Sequence, residues 1–170
     1  MTEYKEKVSV LFVCMGNICR SPTAHGVFRK ILQEHSPDLP IELDSAGTGD
    51  WHVGQPPDSR ATEAASRRGV EISDLRARTV CDEDFALYDY ILAMDDLNLV
   101  TLQDRSPGKY HAKIRLLMEF AEQPSNRNVP DPYYGGPAGF EQVLDLLENA
   151  GRGLLRELEH LLESRGHRQR

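Results

Sequence analysis

Seven residues near the start of the chain, Val8-Ser-Val-Leu-Phe-Val-Cys14, constrain the fold more than any other stretch. Only Ser9 interrupts the apolar run. A strand with one wet face alternates apolar and polar residues, whereas consecutive apolar, β-branched positions need cover on both faces. That is the signature of a parallel sheet sandwiched between helices. The residues that follow agree: a short polar loop ends in Ser21-Pro22, which reads as an N-cap followed by proline at the first helical position. Ala24, Val27, Phe28, Ile31 and Leu32 then fall at i, i+3, i+4, i+7 and i+8, the apolar stripe of a helix lying on the sheet.

The pattern repeats along the chain. Pro37 and Pro40 bracket a loop, and Ile41–Ser45 reads as a second strand. Gly47–Gly54 is a long loop, and Pro57–Arg68 a helix stopped by Gly69. Tyr88–Met94 reads as a third strand, followed by a helix from about Asp95 to Gln103, and Lys113–Leu117 as a fourth. Gln123–Gly139, rich in Pro, Gly and Asn, is a second long loop. The last helix carries Phe140, Val143, Leu144, Leu147, Leu154, Leu155, Leu158, Leu161 and Leu162 on one stripe. Gly151 and Gly153 each cost it about 1 kcal/mol relative to Ala, so a kink or a close packing contact is expected there. The polar tail after Glu163 is expected to fray.

Strands alternating with helices predict an α/β fold, a doubly wound sheet of about four parallel strands with helices on both faces. A length of 170 residues suits a single domain spanning 1–170, with its core at about 8–163. In such sheets ligands sit beyond the carboxyl ends of the strands. The loops after Cys14 and Ser45 and the residues after Met94 therefore share one rim.

Composition narrows the function. A net charge of −7 speaks against general nucleic-acid binding, though an anion pocket needs only local positive potential. Asp82–Asp104 holds seven acids and no Lys or Arg, the pattern of a solvated acidic face. No apolar run approaches the ~20 residues that cross a bilayer, and Val8–Cys14 is too short and wrongly flanked for a signal peptide. A cytoplasmic location is expected, without membrane or nucleic-acid partners, as a monomer or a weak self-associator. Three cysteines form no disulfide framework and no zinc spacing, so no metal or other cofactor is expected.

The chemistry concentrates in Cys14-Met-Gly-Asn-Ile-Cys-Arg20-Ser21. A bare Cys-x5-Arg is weak evidence, but this one lies between a buried strand and a helix N-terminus with Gly16 inside it. Successive backbone N–H groups of a tight loop, aided by the helix dipole, make an anion cradle. Arg20 adds a planar fork for two oxygens of one phosphate. The same field favours a thiolate at Cys14, since helix N-termini lower ordinary thiol pKa values.

These residues carry a resemblance. Val10-Leu-Phe-Val-Cys-Met-Gly-Asn-Ile-Cys-Arg-Ser-Pro-Thr-Ala24, Asp44-Ser-Ala-Gly-Thr-Gly-Asp-Trp-His-Val-Gly54, Tyr90-Ile-Leu-Ala-Met-Asp95 and Asp131-Pro-Tyr-Tyr-Gly135 resemble, in order, the low-molecular-weight protein tyrosine phosphatases. The likeness runs from about Val8 to Leu158.

The resemblance implies a four-stranded parallel sheet, which agrees with the reading of the periodicity, and it implies roles. Cys14 would be the nucleophile and Arg20 the transition-state clamp, with backbone N–H groups of Met15, Gly16, Asn17, Ile18, Cys19 and Arg20 around the phosphoryl oxygens. Asn17 would hold the shape of the cradle, with Ser45 as its hydrogen-bonding partner. Ser21 would assist the thiolate as it leaves the phosphoenzyme, and Asp131 would be the general acid and base. Trp51, Tyr133 and Tyr134 would wall an aromatic crevice for phosphotyrosine, making phosphotyrosyl proteins the substrates. Asp95 matches an aspartate near the site, and an ordinary helix N-cap explains it equally well.

One position departs: members commonly carry a histidine where this chain has Leu75, so the support of Asn17 is expected to differ. Two other functions fit the loop. An arsenate reductase on the same fold would relay a disulfide through cysteines near the end of the third strand, where Leu92–Asn98 has none. A non-catalytic phosphate-binding module would be expected to lose the nucleophile or the acid, and both are present. Cys19, five residues from Cys14, is also placed to trap it reversibly as a disulfide under oxidation.

Overall fold

The computed structural model describes residues 7–133 and 135–168. Four parallel strands form one sheet in the order β2-β1-β3-β4. They are β1 (Val8–Cys14), β2 (Ile41–Gly47), β3 (Tyr90–Ala93) and β4 (Ile114–Leu116). The helices are α1 (Arg20–His35), α2 (Ser59–Ser66), α3 (Asp82–Leu87), α4 (Asp96–Arg105) and α5 (Pro137–Arg168).

The central strand β1 is covered on both sides, as its continuous apolar run requires. Val8, Val10, Phe12 and Cys14 join one buried cluster with Val27 and Phe28 of α1 and Leu147 and Leu154 of α5. Leu11 and Val13 point the other way, into a second cluster with Phe85 of α3, Leu102 of α4 and Leu116 of β4. The two-residue period of a strand sorts one stretch of sequence into two cores.

Several boundaries differ from the sequence reading. Helix α1 begins at Arg20, with Cys19 in the cap position and no side-chain cap, so Ser21-Pro22 is not the cap pair. The Ser21 hydroxyl is used inside the loop instead, as described below. Helix α2 is shorter than Pro57–Arg68 because Asp58 caps it, accepting from the N–H groups of Arg60 and Ala61. Gly69, at φ +77°, closes the following turn in the left-handed region. Helix α3 has no counterpart in the sequence reading: its six residues bury only Asp84 and Phe85, too little periodicity to see. Its end at Leu87 delays β3 to Tyr90. Helix α5 starts inside the expected loop and continues past Glu163 to Arg168.

Gly151 and Gly153 of α5 are packing contacts. A Cβ on Gly151 would lie 2.7 Å from Ile31 Cδ1 of α1, and one on Gly153 would collide with the Phe120 carbonyl. Helix α5 runs unbroken from Pro137 to Arg168, pressed against its neighbours at Gly151 and Gly153.

Candidate active site

The loop from Cys14 to Arg20 leaves the carboxyl end of β1 and enters α1 directly. Its shape depends on Asn17, the one described residue other than glycine with positive φ, at +58°. Such a conformation is uncommon for a side chain with a Cβ and is tolerated best by Asn, Asp and His. Three hydrogen bonds hold it. Asn17 Nδ2 donates to Ser21 Oγ at 2.7 Å and to Ser45 Oγ at 3.1 Å, and Asn17 Oδ1 accepts from the Arg78 N–H at 3.0 Å. The amide is therefore engaged without a histidine at position 75. Leu75 instead packs, partly buried, against the main core.

Around the sulfur of Cys14 the loop supplies polar groups. Ser21 Oγ lies 3.0 Å from Cys14 Sγ, and the Asn17 N–H donates to the same sulfur at 3.3 Å. Gly47, at the end of β2, lets the loop come close: a Cβ there would sit 2.7 Å from the Met15 carbonyl. The Thr48 and Gly49 N–H groups donate to the carbonyls of Cys14 and Met15, tying the second loop to the first.

Arg20 is almost completely buried, at 2% exposure. Its Nη1 donates to Asp95 Oδ2 at 2.7 Å and to the Val129 carbonyl at 3.1 Å. Its Nη2 lies 3.5 Å from Asp131 Oδ2. Burial works against the charge, yet Cys14, Asp95 and Asp131 raise the guanidinium pKa above the usual arginine value. Asp95 is also the cap of α4, its Oδ1 accepting from the Asn98 N–H at 2.8 Å. At Cys19, burial, then the nearby charges of Asp58 and Cys14, push the thiol pKa up.

Cys14, Met15, Gly16, Ile18, Cys19, Arg20, Trp51, His52, Asp131 and Tyr133 line one cleft of about 400 Å³. Asn17, Ser21 and Ser45 stand behind it as supports. Asp131 accepts from the Tyr133 N–H through Oδ1 at 3.0 Å, which orients the carboxyl group. Trp51 is 66% exposed, a wall of the cleft rather than a core residue. Tyr134 lies outside the described residues.

Sequence reasoning misses His52, although it lies in the loop beside Trp51. Its Nδ1 is 2.9 Å from Gln55 Oε1, and its ring meets that of Tyr133 with centroids 6.4 Å apart. It also misses Arg78, whose N–H holds Asn17 while its side chain pairs with Asp44 and Asp84. No local pattern marks a backbone N–H as a support for another loop.

Residues 9–164 match the family model of low molecular weight phosphotyrosine protein phosphatases. A low molecular weight protein-tyrosine-phosphatase of Bacillus subtilis, YfkJ, is 39% identical over 152 residues, covering 89% of this chain and 96% of that protein. The human low molecular weight phosphotyrosine protein phosphatase is 44% identical over 137 residues, covering 79% and 85%. A crystal structure of a protein tyrosine phosphatase from Entamoeba histolytica, with Hepes in the active site, superposes with a TM-score of 0.87 at 43% identity, covering 90% of this chain and 97% of that one.

Proposed function

This chain belongs to the low molecular weight phosphotyrosine protein phosphatases, and from that premise we propose that it hydrolyses phosphotyrosine through a phosphocysteine intermediate on Cys14. The observation that carries the reading is the meeting of Cys14, Arg20 and Asp131 in one cleft, with Asp131 brought from far along the chain.

In the first step the Cys14 thiolate attacks phosphorus and the bond to the tyrosyl oxygen breaks. The loop N–H groups and the buried Arg20 fork stabilise the equatorial oxygens, a preorganised arrangement that costs little reorganisation. Asp131 gives its proton to the departing phenolate, a contribution of about 10²–10⁴ in rate for a well-placed acid. In the second step water attacks the phosphocysteine, Asp131 takes the proton, and the Ser21 hydroxyl stabilises the sulfur as it leaves. The 3.0 Å approach of Ser21 Oγ to Cys14 Sγ supports that role. Trp51 and Tyr133 would flank the phenyl ring, and with Cys14 only 2% exposed a long aryl phosphate would reach the sulfur more readily than the shorter phosphoserine.

A sulfenic acid formed on Cys14 by peroxide would be captured by the Cys19 thiolate as a disulfide with loss of hydroxide, and an external thiol would then reduce that disulfide. The raised pKa of Cys19 makes it a slow partner near neutral pH, because the thiolate is the reacting species.

Turnover of a phosphotyrosyl peptide, with phosphoseryl peptide as the control and EDTA present, tests the reading. Activity is expected on the first alone, and Cys14→Ser should abolish it while the protein stays folded. Retained activity in Cys14→Ser overturns the mechanism.

A further inference from the structure

Asp58 and Arg60 connect the cradle to the segment that carries Asp131. The Asp58 N–H donates to the Ile18 carbonyl, inside the cradle loop, at 2.8 Å. The Asp58 carboxylate receives Arg60 Nε at 3.1 Å and Arg60 Nη2 at 2.9 Å, a two-point contact that fixes the guanidinium plane. That plane lies 5.3 Å from the centre of the Tyr133 ring and 5.0 Å from that of Phe140. Phe140 is buried near the start of α5, so it is a fixed surface for the cation to rest on. The Tyr133 ring also meets that of His52, with centroids 6.4 Å apart. Its own N–H in turn orients Asp131.

A continuous set of contacts thus runs from the Ile18 carbonyl through Asp58, Arg60 and Tyr133 to the Asp131 carboxylate. The Arg60 side chain is 47% exposed and that of Asp58 10%, and an ion pair with one solvent-facing member, two residues apart in sequence, adds modestly to global stability. Its consequence is geometric. A proton donor is effective only within hydrogen-bond reach of the leaving oxygen, and small displacements of a reacting group cost rate steeply.

We propose that Arg60, held by Asp58, is a positioning residue that sets the Asp131 segment at its working distance from the cradle. This rests on the reading of Asp131 as the general acid. Arg60 touches neither phosphate nor leaving group; it acts through Tyr133.

The test compares phosphotyrosine with para-nitrophenyl phosphate, whose more acidic phenol needs the proton less. Arg60→Met keeps the aliphatic stem and removes the charged plane. It should lower kcat for phosphotyrosine about tenfold, with a clearly smaller loss on para-nitrophenyl phosphate and unchanged inhibition by inorganic phosphate. Asp58→Asn retains an N-cap and should show the same selectivity at smaller size. Placed in an Asp131→Asn background, Arg60→Met should add no further selectivity. Equal losses on both substrates, no loss on either, or weakened phosphate inhibition would overturn the proposal. The Asp131→Asn single variant separates the two failures. If it lacks leaving-group selectivity, the acid is misassigned; if it has it and Arg60→Met does not, Arg60 alone is misread.

Discussion

The two ends of the cleft are built differently. At the phosphate end Asn17, Arg20 and Ser21 are at most 2% exposed and linked by hydrogen bonds to β2, to Asp95 at the start of α4 and to the Val129 carbonyl. At the leaving-group end Asp131 and Tyr133 are about one-third exposed and Trp51 two-thirds. The phosphate end belongs to the core, so its geometry is set by folding. The other end is surface, held by a few contacts at the mouth of the cleft. Damage to the first should reach every substrate, while damage to the second should depend on which group is leaving.

The largest effect expected is at Arg20. An ammonium cannot make the two-point contact, so Arg20→Lys should lower kcat by about 10³ on phosphotyrosine and on para-nitrophenyl phosphate alike. Steady-state rates on both substrates check it, and a loss confined to phosphotyrosine would break the division. Asp131→Asn should cost about 10² on phosphotyrosine and distinctly less on para-nitrophenyl phosphate, with phosphate inhibition retained. Equal losses on both substrates with phosphate affinity gone would make Asp131 a scaffold residue.

The buried side of α1, away from the cleft lining, should also carry a pH signature in stability. His25, on α1, is 7% exposed, and its Nδ1 has no hydrogen-bond partner among the described residues. Burial, then the nearby charge of Arg29, lower its pKa from 6.5 to about 4, against the opposing pull of Asp44 and Asp74. The unfolded chain therefore binds this proton more readily. The contribution is fully present above pH 6.5 and is lost as pH falls from there through 4, about 3 kcal/mol in all. Urea denaturation of the native chain and of His25→Gln at pH 7 and pH 4 measures it. The variant should lose less stability over that interval, and parallel losses would show that His25 does not titrate as described.

The smallest effect concerns Cys19. After mild peroxide treatment, dithiothreitol should restore the native chain more completely than Cys19→Ser, because only the native chain can form the protective disulfide. Equal recovery would remove Cys19 from that role.

Much of this is legible in the sequence. Leu11 and Phe12 in a continuous apolar run already require a sheet covered on both faces, and a Cys-x5-Arg loop between that strand and a helix already locates the anion cradle. Both are local properties: side-chain period and the orphan N–H groups of a helix start are written within a few residues. Ser21 shows where local reasoning stops. Its position before proline suits a cap, but Cys14 and Asn17 bind its hydroxyl, and only the folded loop brings them together.

The chain by itself thus determined the layering of the sheet and the position of the Cys-x5-Arg loop at the end of β1. Tertiary structure alone decided that the Arg78 N–H supports Asn17 and that Asp95, the cap of α4, also grips Arg20. It likewise decided that Arg60 rests between Tyr133 and Phe140. These are contacts between residues distant in sequence, several through backbone groups that every residue possesses. A hydrogen bond of that kind leaves no mark on residue choice, so it exists only once the chain has folded.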